Sequence, residues 1–482
     1  MLKLAIVGIV GLITIISFIL IIRNKPEFWF WIFLNLFFDP AGYIEMYRDG
    51  KLVGPLNVTD VLIVAIVLCL IFAKINWRII FADQFFLKFL IYLFIFSAYY
   101  FIIYGGVVPY IKDDFDYSTF FMKNRVFVYG IVILISVYVF SLTNLKYFYP
   151  ITLFIGVICL TLYLITLLTG LPLVPLGILQ REGTEMTRIY MANYGLFLLM
   201  YPLALAVYLL SRKINVVLKY KPWLYFGGVV YIVAELITLT RRTQIDIIGT
   251  TIIIVLIISY LFQLGKITAM FKLVIPAILV ILVLYFTLPN YAGYITETAE
   301  DTFLLITTGK DSRGMSDQRV AGTGDLDITK EYIINNLIFG TGYTHLYWMG
   351  PGNVMSPRGK TFAIATDAAN EVPIYYALFG FGIAGALLLF PLYFLLGKLF
   401  FKLSKLLKIM LINYLQDPIT LIFSIYILSI IAAMFTLNIY ALSSHFTGVK
   451  FSYYAVFMGI GFALYHKMYT NINSQQSRAV LN

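Results

Sequence analysis

Runs of about eighteen or more predominantly apolar residues recur from one end of this chain to the other, and no other feature constrains its fold as tightly. A run of that length is the signature of a helix crossing a bilayer. Lipid offers no water to backbone N–H and C=O groups, so the spanning chain must satisfy them internally, which a helix does residue by residue. Hydrophobic residues make up 61% of the sequence and charged residues 12%, against about 45–50% and about 25% in soluble domains. The sequence therefore predicts an all-α, polytopic integral membrane protein.

The candidate spans are 2–22, 58–75, 84–104, 126–143, 149–171, 189–211, 222–240, 244–265, 269–288, 371–397, 415–437 and 447–466, about twelve transmembrane helices. The first lacks an A-x-A-like cleavage site and reads as an uncleaved span, not a removed signal peptide. The run 26–38 is apolar but short, starting at Pro26 and stopping at Asp39–Pro40. It reads as an interfacial or re-entrant helix, with a tilted thirteenth span as the alternative. Four regions result: N-terminal transmembrane helices (1–288), one long loop with short helices (289–370), C-terminal transmembrane helices (371–466) and a cytoplasmic tail (467–482) that is expected to fray beyond Tyr469.

Loop charge sets the expected orientation. The segments 74–88, 143–149, 212–221, 265–272, 398–417 and the C-terminus hold sixteen Lys/Arg against Asp83 and Asp417. Positive charge is retained on the cytoplasmic side, which puts the mixed-charge 289–371 insert outside a cell's inner membrane. The formal net charge of +11 is thereby accounted for without nucleic acid. Cys69 and Cys159 both sit in apolar runs, so they supply neither a disulfide framework nor a zinc site.

The polar insert is where chemistry is expected, with Asp311, Arg313, Asp317, Arg319, Asp325, Asp327, Arg358 and Asp367 in it. Just before it, Glu235, Arg242 and Asp246 are spaced by seven and four, so one continuous helix would set all three on one side. The pair Arg241–Arg242 is read either as interfacial anchors partnered by Glu235, or as a grip on an anion, since a guanidinium fork donates two parallel hydrogen bonds to phosphate. Tyr291, Tyr294, Tyr332, Tyr343, Tyr347 and Trp348 are sugar-stacking faces or membrane-belt aromatics. In 327–338, Ile328, Tyr332 and Ile333 share a helical face that caps a cavity or lies on the bilayer. His445 reads as a surface histidine and His466, near the cytoplasmic end, as structural.

Four blocks, in order, resemble the O-antigen polymerase and ligase superfamily: REGTEMTRIYMANYG (181–195), LTRRTQIDIIG (239–249), RVAGTGDLDITKEYIINNLIFGTGY (319–343) and DAANEVPIYYALFGFGIAG (367–385). The third carries that family's Arg, amphipathic helix and Gly-x-Gly order. The fourth resembles its Asn-containing span start followed by a Gly-rich helical turn. Arg313 and Gly324 also match an Arg-x10-Gly spacing described for the polymerases. Where the ligases carry His before Asn, this chain has Ala369 before Asn370, which favours a polymerase.

The resemblance implies an undecaprenyl-diphosphate-linked oligosaccharide as substrate, with membrane lipid around it and a chain-length regulator as a further partner. It implies a glycosyltransferase that needs neither metal nor cofactor. Catalytic roles fall on Arg241, Arg242, Arg319, Asp367 and Glu371, and substrate contacts on Arg181, Arg188, Arg313, Asn370, His345 and Glu235. The general base is left open among His345, Asp367 and Glu371. A ligase transferring the finished glycan is the near alternative. A secondary transporter or lipid flippase is the alternative of another class, which would show two similar halves with broken helices.

Overall fold

The computed structural model describes residues 16–38, 57–74, 77–107, 117–143, 145–171, 173–174, 177–180, 187–190, 194–211, 218–238, 241–262, 300, 325–342, 373–413, 418–436, 446 and 448–481. After a helical stretch at 16–24, the elements are α1 (Pro26–Phe37), α2 (Val58–Phe72), α3 (Arg78–Ala82) and α4 (Gln84–Ile102), which runs into a π-helical turn at Ile103–Val107. Then come α5 (Tyr117–Thr143), α6 (Phe148–Thr169), β1 (Gly177–Gln180), β2 (Thr187–Tyr190), α7 (Tyr194–Ser211), α8 (Lys221–Thr238) and α9 (Arg241–Phe262). The last described elements are α10 (Asp325–Asn335), α11 (Pro373–Asn413), α12 (Pro418–Thr436) and α13 (Gly448–Leu481).

The protein is helical and membrane-like. The helical segments Gln84–Val107, Asn124–Thr143, Leu145–Thr166 and Ala377–Leu411 are each long and apolar enough to cross a bilayer, and shorter apolar helices lie at Val58–Phe72, Tyr201–Ser211, Ile247–Phe262 and Thr420–Thr436. Large apolar side chains such as Phe94, Phe154 and Phe390 face outward, as suits a hydrocarbon solvent.

Several boundaries differ from the sequence expectation. The 189–211 span starts only at Tyr194, because Thr187–Tyr190 pairs antiparallel with Gly177–Gln180 and puts Arg188 opposite Leu179. The helix expected at 126–143 begins at Tyr117. The interval 398–413, expected as loop, continues α11, since Leu399, Leu403 and Leu407 keep an apolar face buried. The tail expected to fray is helical to Leu481. The span expected at 269–288 lies outside the described residues.

The chain divides into two compact units. In the first (1–83, 131–234 and 455–482), α1 packs on α2 and α6. Pro26 opens this helix, where a missing N–H costs no hydrogen bond. Phe30 stacks on Phe140 at 4.1 Å between centroids, and Trp31 meets Phe148 edge-on at 5.0 Å. Gly459 lets the α13 backbone approach that of α5, since a Cβ there would lie 2.9 Å from the Leu134 carbonyl oxygen.

That close approach assembles a buried polar group in the same unit. The Asp83 carboxylate accepts the Tyr138 hydroxyl at 2.9 Å and lies 3.3 Å from His466 Nδ1, with the Asp83 side chain 4% exposed. His466 is thus a structural partner that ties α13 to the residue just before α4. A hydrogen bond to a buried charged group contributes about 1.5–3 kcal/mol. Tyr138→Phe is therefore expected to lower unfolding stability in detergent by that amount, read by chemical denaturation against the wild type.

The second unit (84–130 and 235–454) has α11 at its centre, packed on α4, α9, α10 and α12.

Candidate functional site

The helix α11 is interrupted. Gly382 has φ 62° and ψ −173° in the middle of it, so the chain breaks helical geometry one residue after Phe381 and resumes at once. Such a break frees carbonyls on one side and N–H groups on the other, each costing several kcal/mol if left unpaired in lipid. The segment that follows α10 supplies the partners. The amides of Ile383 and Ala384 donate to the carbonyls of Leu337 (2.9 Å) and Ile338 (3.0 Å), while the amides of Thr341 and Gly342 donate to Phe379 (2.7 Å) and Gly380 (3.1 Å). The Thr341 hydroxyl donates to Phe379 as well, at 2.9 Å.

Two glycines make the crossing possible. Gly340 holds φ +70°, and a Cβ on it would stand 2.5 Å from the Gly382 amide nitrogen. Its own amide closes the end of α10 on the Asn336 carbonyl at 2.6 Å, the usual use of a left-handed glycine after a helix. Side chains of the α4 end complete the clamp. Tyr99 donates its hydroxyl to the Phe381 carbonyl at 2.8 Å, and Tyr104, in the π-helical turn, donates to the Phe339 carbonyl. Phe381 sits among Phe96, Tyr100 and Tyr104, with ring centroids 5.6, 5.8 and 6.4 Å away.

The helix α10 docks on the short half of α11. Ile333 is buried against Phe379, with Ile328, Tyr332, Tyr375 and Leu378 around them. The apolar face Ile328–Tyr332–Ile333 is therefore a packing face, and Tyr332 meets Phe379 edge-on at 5.9 Å. Tyr99→Phe and Tyr104→Phe each leave a clamp carbonyl without its hydroxyl, at an expected cost of about 1–3 kcal/mol. The double variant should show a non-additive loss of unfolding stability, since both hydroxyls serve one clamp.

The candidate residues fall unevenly on this frame. Glu235 lies in the last turn of α8, and Arg241, Arg242 and Asp246 lie in the first turns of α9, so Arg242 and Asp246 share a helix and Glu235 belongs to the one before it; residues 239–240 lie outside the described residues. Arg188 is on β2. Arg181, Arg313, Arg319, His345, Asp367, Asn370 and Glu371 lie outside the described residues, as do the 311–317 carboxylates and His445. What the structure does bring together is two of the four sequence blocks. Gly340–Gly342 of the third and Phe379–Ala384 of the fourth are hydrogen-bonded to each other. Tyr99 and Tyr104 carry no flag in the sequence, where an aromatic in an apolar run reads as filler.

No protein-family model, curated protein or solved structure matches this chain.

Proposed function

We propose that the protein is a metal-independent membrane glycosyltransferase that polymerises undecaprenyl-diphosphate-linked oligosaccharide repeats of a surface polysaccharide. In this reading about twelve helices span the inner membrane and the 289–370 loop faces outward. The observation that supports it most is the clamp. It pairs Gly342 with Gly380, and Pro373 starts the helix seven residues before Gly380, about 10 Å away at 1.5 Å per residue. His345 follows one anchor by three residues, and Asp367, Asn370 and Glu371 precede the other by two to six.

The chemistry follows from those residue types. An acceptor hydroxyl oxygen attacks the anomeric carbon of the lipid-linked sugar, and the bond from that carbon to the diphosphate oxygen breaks. The hydroxyl proton passes to Asp367 or Glu371. Negative charge grows on the departing diphosphate, so Arg241, Arg242 and Arg319 stabilise the transition state more than the bound substrate. Arg181, Arg188, Arg313 and Glu235 orient the glycan and its diphosphate.

The transporter or flippase reading draws on the break at Gly382, since interrupted helices line substrate sites in transporters. There the freed backbone groups coordinate the cargo. Here the amides of Ile383 and Ala384 and the carbonyls of Phe379, Gly380 and Phe381 already have protein partners, which favours an anchor. The test is purified protein in liposomes with a defined undecaprenyl diphosphate oligosaccharide. A ladder of lengths is expected; single transfer to a separate acceptor would make it a ligase, and movement of intact lipid without new bonds a flippase.

A further inference from the structure

One face of α11 changes character along its length. Leu387, Phe390 and Phe394 are 67%, 68% and 60% exposed, and the next outward positions are lysines. At about 100° per residue, Lys398, Lys402, Lys405 and Lys408 fall within one arc of about 120°, the arc that also holds Phe390 and Phe394. Leu399, Leu403 and Leu407, on the opposite side, are fully buried. The helix therefore stays packed past the point where its outer face turns basic. Phe401, 73% exposed, sits within the lysine arc.

Two of the ammonium groups are held by aromatic faces. Lys402 Nζ lies 4.7 Å from the Phe85 ring centroid, and Lys408 Nζ lies 5.2 Å from that of Tyr260. A ring contact of this kind orients the ammonium group. The sequences of α4, α11 and α12 contain no Asp or Glu, and Asp83, just before α4, is engaged by Tyr138 and His466. That of α9 contains Asp246, fourteen residues before Tyr260 and so about 21 Å along the helix. Asp417 lies outside the described residues. Lys88, one turn after Phe85, is exposed and adds a fifth cation to this end of the unit.

We propose that this face of α11 is a binding surface for the headgroups of anionic phospholipids. The apolar stretch from Leu387 to Phe394 receives their acyl chains, and Lys398, Lys402, Lys405 and Lys408 receive their phosphates. A lysine near an anionic bilayer surface strengthens binding about fivefold, and a packed helix presents four of them in fixed register. The assignment is independent of the glycosyltransferase reading.

The experiment uses full-length protein in detergent, stripped of lipid and titrated with phosphatidylglycerol or phosphatidylcholine, with bound lipid counted by native mass spectrometry. The wild type is expected to prefer phosphatidylglycerol, and to lose the preference as salt rises. The exposed pair Lys398→Gln/Lys405→Gln should weaken phosphatidylglycerol binding about 25-fold and leave phosphatidylcholine binding unchanged. Lys146→Gln/Lys219→Gln, a pair elsewhere in the chain, should leave both unchanged. Equal binding of the two lipids by the wild type would overturn the proposal, and so would an unchanged preference in the 398/405 variant.

Discussion

Gly382→Val is expected to abolish the folded protein or leave it severely destabilised. The residue's φ of 62° is one that side chains with a Cβ resist, at about 1–2 kcal/mol. The larger effect is steric. A Cβ would stand 2.5 Å from the Gly340 amide nitrogen and 2.5 Å from the Ile338 carbonyl carbon. Both atoms are backbone and neither can swing aside, so the crossing segment must move. Moving it breaks the pairs that bind Leu337–Gly342 to Phe379–Ala384, and each buried group left unpaired costs about 1–3 kcal/mol. The sum is about 4 kcal/mol or more. Gly340→Val should behave alike, because its Cβ meets the same backbone from the other side. Gly397→Ala is the control in the same helix. Nothing lies within 4 Å of a Cβ there, so it should be neutral or stabilising by up to about 1 kcal/mol. Thermal unfolding and size-exclusion profiles in mild detergent read all three, and equal behaviour of Gly382→Val and Gly397→Ala would remove the clamp from the account.

The second large effect is expected on activity. Arg241→Ala, Arg242→Ala and Arg319→Ala should each reduce polymer formation about 100-fold or more, the scale of removing one group aimed at developing charge. The protein should still accumulate in the membrane. Lysine at the same positions should restore little, since an ammonium lacks the planar fork that grips two phosphate oxygens. Full activity in all three alanine variants would remove the site assignment, and loss of the protein itself would make these arginines structural.

The helical, membrane-like character was legible from the length of the apolar runs, because a bilayer-spanning helix must be apolar over a fixed length. The 84–104 span appears as Gln84–Ile102 with a π-helical turn, and the 149–171 span as Phe148–Thr169. What periodicity missed is local. Gly177–Gln180 pairs antiparallel with Thr187–Tyr190, and four-residue strands are too short to show an alternation in the sequence. The helix α11 outruns its apolar window because Leu399, Leu403 and Leu407 repeat every four residues, a pattern that average polarity hides. Of the site, the paired Gly-rich stretches 340–342 and 380–385 were visible as motifs, yet nothing in them announced that each completes the other's backbone hydrogen bonds. Tyr99 and Tyr104 were invisible, because their role depends on where α4 ends relative to a segment more than two hundred residues later.

The central claim is that sugar leaves a diphosphate within this protein, and product stoichiometry tests it most directly. Purified protein is given a synthetic undecaprenyl diphosphate repeat unit in buffer containing a metal chelator, and free undecaprenyl diphosphate is counted against new glycosidic bonds. The account predicts one lipid diphosphate released for each bond formed, with release lost in Arg242→Ala. Lipid recovered wholly intact, with its glycan neither lengthened nor transferred, would contradict it.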